Sequence, residues 1–275
     1  MPAILYSPQR PQSIGEVLDA AFIIFKATVI KCLPFGLLAM VASQSQSLYD
    51  VATGRPLGSQ DLYWWLFLVV GTLLSVALSS AILLRQVAVL ERRPTSMLGD
   101  LAQAFAFLPS MTVALVLGLV AVGAGFVFLV VPGVYLALAF LFAGPAILLS
   151  GKKSLEALRF GLQLMRGNAL RAFTVFAVGL SIVLVFDMLM FTFVAVLLQF
   201  AGSSDLAVVT SYLPVVVIAL GAFTAPFGCA LTLAMFGDLQ VRVAFKETAA
   251  ADATNAAAAA MAAVPVSPAS DERAG

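Results

Sequence analysis

The chain contains no histidine, only two cysteines and few charges, and each shortage removes a class of function. Without histidine there is no His-dependent catalytic triad and no common His/Cys zinc site. Cys32 and Cys229 both sit inside apolar runs, so they read as small packing residues and give no disulfide framework. Charged residues make up 11% of the 275 positions, against about a quarter in soluble domains. No basic cluster is interleaved with base-stacking aromatics, so nucleic acid is not an expected partner, and no cofactor is expected. What is abundant is apolar: 62% of residues, with a mean hydropathy of +1.05.

The apolar residues gather into six runs, roughly 21–42, 63–84, 111–131, 133–150, 173–200 and 213–237, each near the length of about 20 residues that crosses a bilayer core. Fourteen of the fifteen Lys and Arg residues fall on one side of these runs, with Arg55 alone on the other. By the positive-inside rule, this predicts an all-α, six-span protein of a bacterial cytoplasmic (inner) membrane, with N and C termini in the cytoplasm. The first run follows a stretch containing Glu16 and Asp19 and is too long for a signal-peptide core, so it is expected to be retained. Residues 1–247 are thus expected to form the membrane domain. The Ala- and Pro-rich 248–275 are expected to be a disordered cytoplasmic tail, with a weak helix in the Ala run as the alternative.

Residues 111–150 are apolar almost throughout and would make one helix of about 60 Å, twice the bilayer core. A turn is therefore expected at Pro132-Gly133. Each of the three resulting hairpins comes after an amphipathic segment. The third is clearest: Lys152, Glu156, Arg159, Gln163 and Arg166 form one face, and Leu155, Leu158, Leu162 and Met165 a second, as in a helix lying in the membrane interface. Ser13, Leu18, Ala21 and Phe22 match Ser96, Leu101, Ala104 and Phe105, while Glu16, Leu18, Lys26 and Lys31 match Glu156, Leu158, Arg166 and Arg171. The expected architecture is three tandem units of interfacial helix plus transmembrane hairpin.

Several stretches resemble a bacterial integral membrane family. They are Ser13-Ile14-Gly15-Glu16-Val17-Leu18-Asp19-Ala20-Ala21-Phe22, the Val131-Pro132-Gly133-Val134-Tyr135 turn, and Pro145 with Ser154 to Leu158 and Leu164-Met165-Arg166-Gly167 after it. The closing Asp238-Leu239-Gln240-Val241-Arg242 joins them. The family is named for the membrane domain attached to some glycerophosphoryl diester phosphodiesterases, and the resemblance covers about residues 10–246. It departs where Gln240 replaces a basic residue and Ala244-Phe245 replace a charged-Gly stretch. The family's phosphodiesterase is a separate barrel that uses acidic and histidine residues. The resemblance therefore implies a membrane domain without that enzyme.

Asp187 is the carboxylate placed deepest in a span, a depth that costs on the order of 3 kcal/mol and marks it as a functional candidate. It is either coupled to a proton or ion, held neutral by groups such as Ser75, Thr192 or Thr224, or nearer the outer interface than the span limits allow. Asp238 and Arg242 form an i,i+4 pair near the end of the last span. Lys26, Lys31, Lys152, Lys153, Arg159, Arg166 and Arg171 are candidates to hold anionic lipid heads or a partner. Two function classes remain: a non-catalytic protein that organises lipids, a membrane-protein partner or further copies of itself, and a small transporter with Asp187 in its path.

Overall fold

The computed structural model describes residues 8, 10–56, 60–94, 96–200 and 206–262. Among them the chain is helical without a strand: α1 (Ile14–Ser43), α2 (Ser45–Ala52), α3 (Leu62–Leu90), α4 (Met97–Phe128), α5 (Val130–Leu141), α6 (Ala143–Ser150), α7 (Ser154–Met165), α8 (Ala169–Phe200) and α9 (Leu206–Ala262). Six segments are long and apolar enough to cross a membrane: α1, α3, α4, α5 with α6, α8, and α9. The bundle is organised around α1, which packs along α9 and α3.

The three hairpins are antiparallel, and close backbone approach sets their register. In the first, a Cβ on Gly71 of α3 would stand 2.2 Å from the Ala42 carbonyl oxygen of α1. In the second, Gly125 of α4 meets the backbone of Gly133 of α5, and in the third Gly179 of α8 makes room for the Leu231 side chain of α9. Gly36 of α1 joins the first hairpin to the third, since a Cβ there would lie 2.4 Å from the Ala222 carbonyl oxygen. Lipid tails are as apolar as leucine, so helices in a membrane associate through such close packing rather than through a hydrophobic driving force.

The repeat is legible in three dimensions. Shifting the start of α1, Ile14, by 83 residues gives Met97, where α4 starts, and shifting it by 140 gives Ser154, where α7 starts. Three equivalent sets are buried in every unit: Val17, Asp100 and Ala157; Ala21, Ala104 and Gly161; Thr28, Met111 and Asn168. Steps of four and seven residues place Val17, Ala21 and Thr28 on one face of α1, and Asp100, Ala104 and Met111 on one face of α4. Ser13 caps α1, its hydroxyl accepting from the Glu16 N–H while Glu16 accepts from the Ser13 N–H at 2.6 Å. Ser96 caps α4 in the same way through the Gly99 N–H.

Beyond the amphipathic segment the units diverge. In the first two the amphipathic segment runs on into the span as one continuous helix of 30 or 32 residues. Only the third breaks, at Arg166-Gly167-Asn168, where Gly167 takes a φ of +72° that a glycine accommodates without strain. The buried face of α7 is also rotated from the expected one: Ala157, Leu158, Gly161, Leu164 and Met165 face inward, while Leu155 is exposed. Gly161 explains the rotation, because α7 crosses α5 so tightly that a Cβ there would lie 2.1 Å from the Ala139 carbonyl oxygen.

The turn of the second hairpin lies at Leu129, extended at φ −166° and ψ 148°, three residues before the expected Pro132-Gly133. Pro132 instead occupies the first turn of α5, where a missing N–H costs nothing. Gly133 serves as a seat for Phe126, whose ring would be 2.6 Å from an added Cβ. The fourth span is two helices meeting at Phe142. The 12 residues of α5 rise about 18 Å, short of the bilayer core, and α6 completes the crossing.

The expected loop before the last span is partly helix, since α9 begins at Leu206 rather than near 213. Its other end continues through Ala262, so the Ala run, whose residues have the highest helix propensity, takes the helical alternative. Arg273 and the remainder of the expected tail lie outside the described residues. Between α1 and α3, Asp61 caps α3 and also accepts from the Tyr49 hydroxyl and the Arg55 guanidinium. The Trp64 N–H, and after it the Arg55 and Tyr49 bonds, hold its carboxyl below the ordinary range.

Candidate functional site

Polar side chains interrupt the apolar bundle at several described positions, and three of these bear on function. The first is not among the candidates that the sequence offers. Arg85, near the end of α3, and Asp100, in the first turn of α4, form an ion pair of 2.7 Å with side chains 8% and 9% exposed. The Arg85 guanidinium lies 5.7 Å from the Phe35 ring centroid of α1, a distance at which the ring face attracts a cation. Next to it, the wholly buried Gln86 donates through Nε2 to the Pro226 carbonyl oxygen of α9 at 2.7 Å. The two neighbours thus bind α3 to α4 and α9. The signal available in the sequence is register: Asp100 occupies the buried position that Val17 and Ala157 hold in the other two units.

The second position brings Arg171 to the Asp238 and Arg242 pair, which the sequence singles out apart from it. Asp238 is fully buried and accepts from Arg171 Nε at 3.0 Å, from Arg242 Nε at 2.9 Å and from the Gln12 N–H at 2.8 Å. Both guanidinium groups also donate to the Gln12 carbonyl oxygen. One carboxylate and two arginines therefore clamp the segment before α1 against α8 and α9. The expected i,i+4 pair is present, but it is part of a tertiary lock. Arg171 and Arg242 are committed to that lock rather than free for a headgroup.

The third position is Asp187, on α8. Its Oδ1 is buried and has no hydrogen-bond partner among the described residues. The hydroxyls weighed as partners bond within their own helices: Ser75 to the Thr72 carbonyl, Thr192 to that of Met188 and Thr224 to that of Leu220. Helical hydroxyls routinely bond back in this way, and here it leaves Asp187 without them. Its neighbour Phe186 stacks on Phe223 of α9 at 5.8 Å. These rings, with Phe22 and Phe25 of α1 and Phe227 of α9, line an apolar cleft, and Asp187 is not among its lining residues.

The remaining candidate cations lie at the surface. Lys26, Lys31, Lys153, Arg159 and Arg166 are exposed and form no ion pair with a described residue. Lys152 stands over the Phe160 ring at 4.5 Å, a cation–π contact that anchors the start of α7. Each buried carboxylate at the first two positions is engaged by arginine, and among the described residues no group of three or more Cys, Asp or Glu side chains converges as a metal site would require. Compared with known proteins, the chain matches no family model, no curated protein and no solved structure.

Proposed function

We propose that this chain is a non-catalytic, multi-pass protein of a bacterial cytoplasmic membrane that organises anionic lipids around its basic end. The observation that carries the reading is a division among the basic residues. Arg85, Arg171 and Arg242 are spent on buried carboxylates, whereas Lys26, Lys31, Lys153, Arg159 and Arg166 are exposed beside lipid-facing apolar helices. Free cations at a membrane surface attract anionic heads with about 1 kcal/mol each. The resemblance to the membrane domain of glycerophosphoryl diester phosphodiesterases accords with such a role without requiring the enzyme. The unpartnered Oδ1 of Asp187 favours a second reading, a small transporter, but the cleft beside it is apolar rather than a polar path.

Purified protein carrying Lys153→Gln, Arg159→Gln and Arg166→Gln should retain several-fold less phosphatidylglycerol than wild type, counted by mass spectrometry, at unchanged phosphatidylcholine. Equal retention of both lipids would remove the basis of the reading. The orientation has its own expected result. With the native cysteines replaced, Ser47→Cys should react with an impermeant thiol reagent in intact cells and Ser96→Cys should not; the reverse pattern would invert the topology.

A further inference from the structure

The cleft between α1, α8 and α9 is walled by rings that hold one another in place. Phe22 lies 4.9 Å from Phe227, and Phe25 meets Phe223 edge-on at 5.4 Å. Rings so braced do not collapse inward, and a space of about 110 Å³ remains. The single polar lining residue is Thr224, whose hydroxyl is committed to the Leu220 carbonyl at 3.2 Å. Water entering the cleft would find no partner, whereas a hydrocarbon chain would lose nothing. Phe22 and Phe223 are each more than 40% exposed, so the cleft opens on the surface that faces lipid.

Lys26 is next to Phe25 in the chain and lies one helical turn from Phe22, on the same stripe of α1. It is exposed and forms no ion pair with a described residue. Its aliphatic stem is long enough to lie along the apolar rim and carry the ammonium to the phosphate level of a membrane. Lys31, five residues on, points to the other side of the helix. We propose that the cleft is a specific site for one acyl chain of an anionic phospholipid, whose phosphate is bound by Lys26. The proposal rests on the lipid-organising reading and gives it a location and a lipid class.

The test is native mass spectrometry of delipidated protein titrated with phosphatidylglycerol or phosphatidylcholine. Wild type should bind one phosphatidylglycerol in preference to phosphatidylcholine. Lys26→Gln should weaken that first site roughly fivefold, as loss of one basic contact at an anionic surface implies, while Lys31→Gln should leave it unchanged. Thr224→Phe, which fills the cleft, should remove the preference altogether. Equal losses in the two lysine variants, or a preference that survives Thr224→Phe, would overturn the proposal. If the cleft variants bind like wild type while the α7 cation variant loses lipid, the site falls and the broader reading stands. If no variant differs and no preference exists, both fall.

Discussion

Arg85→Met should destabilise the fold by about 3 to 5 kcal/mol, because it leaves the Asp100 carboxylate buried without its partner. Asp100→Leu alone should also destabilise the fold, by removing the buried counter-ion of the Arg85 guanidinium. The double variant is the informative one. Two apolar side chains of similar volume in place of a buried ion pair are often neutral or better, so Arg85→Met with Asp100→Leu should recover most of the loss. Arg85 also faces Phe35, and Met keeps contact with that ring. The measurement is a double-mutant cycle from reversible unfolding in mixed detergent micelles. A double variant as unstable as the sum of the singles would mean that the two residues are not coupled across α3 and α4.

Asp238→Ala should produce the second largest effect, about 3 kcal/mol, because one substitution removes the buried counter-ion of two arginines and the acceptor of the Gln12 N–H. The lower end of the range is expected, since both arginine side chains are about a fifth exposed and regain water. Arg242→Gln should cost about 1 kcal/mol, because Arg171 still satisfies the carboxylate. Beyond stability, the loss should be local. Amide exchange at Gln12 and through the first turn of α1 should rise sharply in Asp238→Ala while the α3 amides near Gln86 stay protected. Uniform acceleration in both regions would show that Asp238 supports the whole bundle rather than the N-terminal segment.

The spans are legible in the sequence because a bilayer leaves little freedom. Backbone groups in hydrocarbon must be satisfied within the segment, so a long apolar run reads as a helix. The repeat is legible for a related reason: Ser13 and Ser96 cap their helices through side chains, and caps depend on local sequence. Details that depend on partners are not. Leu129 rather than Pro132-Gly133 makes the turn because Gly133 is needed as a seat for Phe126, which no local rule reveals. The buried face of α7 departs from the leucine stripe because Gly161 has no hydrophobic weight, yet it fixes which side meets α5. Asp100 does not stand out in the sequence because its partner lies 15 residues earlier, across a turn. Asp238 and Arg171 are each visible as candidates, but their meeting at the Gln12 backbone is tertiary.

The choice between a lipid-organising protein and a transporter turns on the surroundings of Asp187, and one measurement addresses them without knowledge of any substrate. In a chain with Cys32→Ala and Cys229→Ala, Asp187→Cys reports access to water, since a charged methanethiosulfonate reacts only with a hydrated thiol. Ser47→Cys, half-buried in α2 ahead of Arg55, gives the reference rate. Packed beside Phe186 and the apolar cleft, Asp187→Cys should react far more slowly than that reference from either side of the membrane. Labelling at a rate near that of Ser47→Cys would place a water-filled path through α8 and make the chain a transporter.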